Sequence, residues 1–249
     1  MQSPFKVNHM KYQIDTVPIW DAYLAEPFCP LCLLLLQEEE RVIDRSLGAS
    51  VMEPDERIQV NEMGFCSYHQ QLLYAKQNRL GQALMMQSHL IEEEKKMNNL
   101  LSASPVKRSF FARKETGTVE NKKTCISCSR LEHKINQHIY SLLNLWQKDK
   151  AFQEAFLKSN GFCLPHLRLI CAMAKETMSA GKQADFFDAL KIVQNNKMQT
   201  VREKLDVFIN SFDWRNAGKP LNDARTALED AVNMASGFSV GESPLKNVK

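Results

Sequence analysis

The words Gly64-Phe65-Cys66-Ser67-Tyr68-His69 return almost unchanged at Gly161-Phe162-Cys163-Leu164-Pro165-His166, and each copy follows a CxxC pair. The pairs are Cys29 with Cys32 and Cys125 with Cys128; 33 residues separate Cys32 from Cys66, and 34 separate Cys128 from Cys163. The step is 96 residues from one CxxC to the next and 97 from one CxxH to the next. One pattern used twice thus takes six of the seven cysteines and two of the six histidines. It constrains the fold strongly. Donors two residues apart reach one ion together, whereas a partner some 33 residues away forces the intervening chain to leave and come back.

Three thiolates and one imidazole complete a tetrahedral shell, so the pattern suits two structural zinc ions held by Cys29, Cys32, Cys66, His69, Cys125, Cys128, Cys163 and His166. Closure within each repeat is favoured because a shorter loop costs less entropy. The crossed arrangement, Cys29 and Cys32 with Cys163 and His166, stays open because that dependence on length is shallow. Other uses of the cysteines fit less well. A thioredoxin-like CxxC needs a βαβ setting, and no alternating β-branched run precedes either pair. Attachment of c-type haem needs histidine directly after the second cysteine, where Leu33 and Ser129 stand. An iron–sulfur cluster usually takes four thiolates, which makes it the weaker candidate beside zinc. Catalytic zinc needs an exchangeable position, and the chain has no HExxH, no GxSxG and no phosphate-binding glycine loop. No catalytic residue is assigned, and an enzyme is the less favoured class. Cys171 reads as a small buried side chain; His9, His89, His133 and His138 read as non-ligands.

Nine glycines and nine prolines are few, which favours helices over a turn-rich β fold. The expected class is all-α: two homologous helical repeats plus a C-terminal helix. The expected division is an N-terminal arm over 1–28, a metal-binding repeat over 29–101, a basic linker over 102–124, a second repeat over 125–213, and a helix with tail over 214–249. The linker holds six Lys or Arg against two Glu, a local charge of +4 beside +3 for the whole chain. It reads first as a solvated connector and second as a nucleic-acid contact with Phe110 and Phe111 as apolar points. The N-terminal stretch lacks a secretory pattern and no apolar run is long enough to span a bilayer, so no membrane association is expected and a reducing cytoplasm is the expected compartment.

Periodicity predicts a short helix near Ile19–Ala25 and one from Pro30 to about Ser50. Pro54-Asp55-Glu56 opens a third that ends at Gly64. A CxxH helix then runs from Cys66 through Leu90, Ile91, Met97 and Leu101 with a bend near Gly81. In the second half, Leu131, Ile135, His138, Ile139, Leu142, Leu145 and Trp146 form one stripe, with Thr124 as a candidate cap. Asp149 caps a short helix that stops at Asn160-Gly161. Cys163–Met178 forms the second CxxH helix. A long helix after Gly181 carries Phe186, Leu190, Val193, Val201, Leu205, Phe208 and Phe212. A last one over Leu221–Ala235 has Leu228 and Val232 on its apolar side.

The chain resembles an uncharacterised bacterial family, a domain of unknown function marked by CPxC followed by GFCxxH. Phe28-Cys29-Pro30-Leu31-Cys32 and Gly64-Phe65-Cys66-Ser67-Tyr68-His69 carry the likeness, while Cys125-Ile126-Ser127-Cys128 lacks the proline. The resemblance implies a bacterial, cytoplasmic protein and no particular activity. The expected role is a binding or scaffold module for a protein partner, with a redox or metal-responsive protein and a nucleic-acid binder as alternatives.

Overall fold

The structure is a computed structural model that describes residues 12–102, 125–216 and 218–247. Among these residues every regular element is helical and none is a strand, which is the all-α class. The α-helices are α1 (Val17–Leu24), α2 (Pro30–Leu47), α3 (Pro54–Met63), α4 (Ser67–Ala75), α5 (Arg79–Leu101), α6 (Ile126–Lys148), α7 (Lys150–Lys158), α8 (Leu164–Thr177), α9 (Ala180–Asn210) and α10 (Ala227–Ser236). Apart from Ser102, the basic linker lies outside the described residues, and with it Phe110, Phe111 and Thr124; so does His9. No helix among the described residues is long and apolar enough to cross a membrane. The chain forms two compact units, one of Met1–Gln37 with His133–Lys249 and one of Glu38–Glu132, and the boundaries fall inside α2 and α6.

Among the described residues, the unit of Glu38–Glu132 has a small apolar cluster with Ile43, Leu47, Val51, Val60, Leu73, Met85 and Ile126 as buried members. Helix α3 begins with Pro54 in its first turn, followed by Asp55 and Glu56, where a missing N–H and negative charge both suit a helix start. The single helix expected from Cys66 to Leu101 is two helices instead. Gln77 has φ +62, and Asn78 caps α5 by accepting from Gly81 N at 3.0 Å while donating to Leu47 O at 2.8 Å. A capped start therefore replaces the bend placed at Gly81. Leu90, Ile91, Met97 and Leu101 are exposed on α5 rather than packed.

The other unit is built on aromatic rings. Phe152, Phe156, Phe162 and Phe186 are fully covered. Tyr23 meets the Phe152 ring at 4.8 Å and Trp146 meets Phe186 edge-on at 5.2 Å. Asp149 caps α7 by accepting from Ala151 N at 2.9 Å and Phe152 N at 3.2 Å, which fixes the helix that supplies two of these rings. Two expectations are corrected here. Phe212 is exposed in the turn that follows α9, and α10 follows a 3-10 turn over Asn222–Thr226 and buries Ala227, Asn233 and Met234, leaving Leu228 exposed and Val232 at the surface. Ala227 and Met234 lie seven residues apart and share a face, and Asn233 turns inward because its side chain accepts from Ser239 N at 2.8 Å and Val240 N at 3.1 Å.

Both GFCxxH words open on a left-handed glycine. Gly64 has φ +66 and ψ −164, a region essentially closed to residues with a Cβ, and Gly161 has φ +71. An added Cβ at Gly64 would stand 2.9 Å from His89 Nε2. His89 is held there by a contact from Nδ1 to Asn61 O at 3.1 Å. Gly64→Ala is expected to cost about 1–3 kcal/mol, measured as a shift in the urea midpoint at unchanged slope.

Candidate metal centres

Each GFCxxH word places its donors by the way a helix begins. Cys66 and Cys163 are the N-cap residues of α4 and α8, with extended backbones at φ −71, ψ 166 and φ −69, ψ 158. The histidine three residues on lies in the first turn, on the same face as the cap. His69 Nδ1 is 3.1 Å from Cys66 Sγ, and His166 Nδ1 is 3.2 Å from Cys163 Sγ. The CxxC pairs work the same way: Cys29 and Cys125 immediately precede α2 and α6, and Cys32 and Cys128 lie within the first turn. Cys32 N and Leu33 N both donate to Cys29 O, at 3.1 and 3.2 Å, which folds the pair toward one point.

Each CxxC pair meets the GFCxxH word from the other half of the chain. Cys29, Cys32, Cys163 and His166 form one group, all four buried; Cys66, His69, Cys125 and Cys128 form the other, with His69 and Cys125 buried and Cys66 and Cys128 half-buried. Each group lies within one unit. The expectation of closure within each repeat is thereby corrected. All eight sequence-marked residues are used, and neither His89, His133, His138 nor Cys171 enters a group.

Distances suit a single ion. A tetrahedron with metal–sulfur bonds of about 2.3 Å and a metal–nitrogen bond of about 2.0–2.1 Å has S···S edges of about 3.8 Å and S···N edges of about 3.5–3.6 Å. In the buried centre the S···S separations are 3.9 Å for Cys29–Cys163 and 3.6 Å for Cys32–Cys163. His166 Nδ1 is 3.6 Å from Cys29 and 3.4 Å from Cys32. In the half-exposed centre Cys66–Cys128 is 3.9 Å, and His69 Nδ1 is 3.3 Å from Cys125 and 3.5 Å from Cys128. The residues present therefore fit a tetrahedral ion with four protein ligands. Such an ion closes the shell without an exchangeable position.

The surroundings of the two centres differ in charge. Beside the buried centre, Lys197 is itself buried, donates to Phe28 O and stands 3.3 Å over the Phe28 ring. Burial holds its ammonium down to about 8, opposed by the thiolates of Cys29, Cys163 and Cys32 and by Asp230. A divalent ion in three thiolates and a neutral imidazole leaves one net negative charge, which this ammonium offsets. Phe238 N also donates to Cys32 Sγ at 3.4 Å, and Gln194 brackets Phe162, accepting from its N at 3.2 Å and donating to its O at 2.9 Å. Burial lowers His166, but hydrogen bonds with Cys163 and Cys29 and their charge outweigh it and push the imidazole up to about 10. Burial raises the Cys29 thiol, yet its hydrogen bonds with Cys163, Cys32 and His166 prevail and hold it well below the ordinary value.

The half-exposed centre has a carboxylate where the buried one has an amine. Glu39 Oε1 stands 3.4 Å from His69 Nε2, an electrostatic contact longer than a good hydrogen bond, and its other oxygen accepts from the Tyr68 hydroxyl at 3.0 Å. Burial lowers the His69 imidazole against the pull of Glu39, which favours the neutral, metal-binding ring. Burial pushes the Cys128 thiol up to about 12, reinforced by Cys125 and Cys66. A carboxylate behind a ligating histidine fixes its orientation, so Glu39→Gln is expected to weaken this centre by about 10- to 100-fold, read by competition with a coloured chelator. The buried centre in the same molecule should be unaffected.

Sequence reading missed these supporting groups. Glu39 lies in the run Glu38-Glu39-Glu40 of α2, and nothing in the sequence ties it to His69. Lys197 did carry a signal: it lies at helical spacing between Val193 and Val201 on the buried stripe of α9, where a cation needs a reason.

Comparison with known proteins adds one relation. The model of a family of unknown function matches residues 10–242. No curated protein and no solved structure matches the chain.

Proposed function

This chain belongs to that family, DUF6062, and from its two four-donor centres we propose that it is a helical scaffold stapled by two structural zinc ions. The carrying observation is that each centre offers four protein donors within 4.8 Å of one another, a complete shell for one tetrahedral ion. Three thiolates and one imidazole per centre match zinc. An iron–sulfur cluster spreads its cysteines over several irons and needs them farther apart than the separations found here. When bound, zinc would supply folding free energy and no chemistry on a substrate.

A scaffold needs a partner surface, and the turn that follows α9 supplies aromatic anchors: Phe212 and Trp214 are exposed at 77 % and 83 %. Exposed aromatic side chains at one place suit a protein partner. Donor thiols need a reducing compartment, in keeping with a cytoplasmic protein. Elemental analysis of the tag-free chain tests the proposal, with two zinc per chain expected. Iron with visible absorbance, or no metal, would sink it.

A further inference from the structure

The two centres share a donor set and differ in how much solvent reaches it. In the buried centre Cys29, Cys32 and Cys163 are exposed by 1 %, 6 % and 0 %. A cleft of about 340 Å³ borders Cys29 and Cys32, yet Phe238 N caps the Cys32 sulfur and leaves both thiols covered. The half-exposed centre lacks that cover. Cys66 and Cys128 are both partly open to solvent, their sulfurs are 3.9 Å apart, and the charged group at the ligating histidine is Glu39. Arg130, two residues past Cys128, is committed to Glu56 and Gln59.

The geometry points to the Cys66–Cys128 pair as a site of reversible oxidation by hydroperoxides, which would release the metal of this centre alone. This rests on the metal-scaffold reading and names its regulated half. Zinc has no redox chemistry, so both electrons come from sulfur. One of the two thiolates attacks a peroxide oxygen; the S–O bond forms, the O–O bond breaks, and the departing hydroxide takes a proton to become water. The second thiolate attacks that sulfenic sulfur; the S–S bond forms, the S–O bond breaks, and a second hydroxide leaves as water. In sum, two thiolates, one hydrogen peroxide and two protons give one disulfide and two water molecules. Closing the sulfurs from 3.9 Å to a bond of about 2.05 Å takes a movement of about 1.9 Å. With two of its four donors lost, the centre gives up its ion.

The test uses the full chain carrying its metal. Metal content is measured first; one equivalent of hydrogen peroxide is then added, released metal is followed with a coloured chelator, and disulfides are mapped by mass spectrometry. The expected result is release of one ion per chain, a Cys66–Cys128 disulfide, and reduced Cys29, Cys32 and Cys163. Alkylation before oxidation should label Cys66 and Cys128 about tenfold faster than those three. Oxidation that starts at Cys29, Cys32 or Cys163, or that stays on Cys171 with both ions retained, overturns the inference. Absence of metal before oxidant defeats the scaffold reading instead. The disulfide map of that same sample still decides the pair: a Cys66–Cys128 link upholds it and any other link overturns it.

Discussion

A chain carrying Cys29→Ser together with Cys163→Ser is expected to hold one zinc ion, whereas Cys29→Ser together with Cys66→Ser holds none. The difference follows from which donors share a centre. Cys29 and Cys163 lie in one tetrad, 3.9 Å apart, and Cys66 lies in the other. Losing a second donor from a centre already broken costs nothing further in stoichiometry; losing one from each breaks both. Closure within repeats would reverse the two counts. Zinc per chain, measured at equilibrium with a competing chelator, reads the difference directly. A fragment ending at Ser102 extends the logic: it keeps Cys29, Cys32, Cys66 and His69, four donors from two different tetrads, and should bind no ion tightly.

The eight candidate donors that the structure gathers into two groups were legible in the sequence because helix starts are local events. A cysteine at an N-cap with histidine three residues on, or at a CxxC entering a helix, places its side chain by backbone rules that spacing reveals. Their pairing was not legible. Cys29 and Cys163 are 134 positions apart, against 37 for Cys29 and Cys66. On loop entropy alone that longer closure costs only about 1 kcal/mol more. A metal site is worth about 10–16 kcal/mol, so packing elsewhere decides the outcome. That packing is seen in the contact of α6 with the first GFC turn, where Ile126 N donates to Gly64 O at 3.1 Å, and in the aromatic core around Phe156 and Phe162. The same locality explains the errors in α5 and α10. A run of apolar residues at helical spacing predicts a helix correctly but cannot say whether anything covers its face, as Leu90, Met97 and Leu228 show.

Removing both ions with a strong chelator is expected to unfold the unit of Glu38–Glu132 while the other unit keeps much of its helix. The reason is the size of what remains when the ions are gone. Among the described residues the first has one small apolar cluster, to which α3 contributes only Val60 as a buried member. A domain's whole stability is about 5–15 kcal/mol, comparable with the contribution of one structural zinc, about 10–16 kcal/mol. So small a core has no reserve against that loss. The second unit keeps Phe152, Phe156, Phe162 and Phe186 against Tyr23, Trp146 and α9, a ring cluster that does not depend on the ion for its contacts. Hydrogen exchange followed by mass spectrometry separates the two. Peptides from α3, α4 and α5 should lose protection on chelation and regain it when zinc is returned, and peptides from α7 and α9 should stay protected for longer. Equal loss in both sets would show that the ring cluster cannot stand without its metal. No loss in either would mean that the eight donors hold nothing the fold requires.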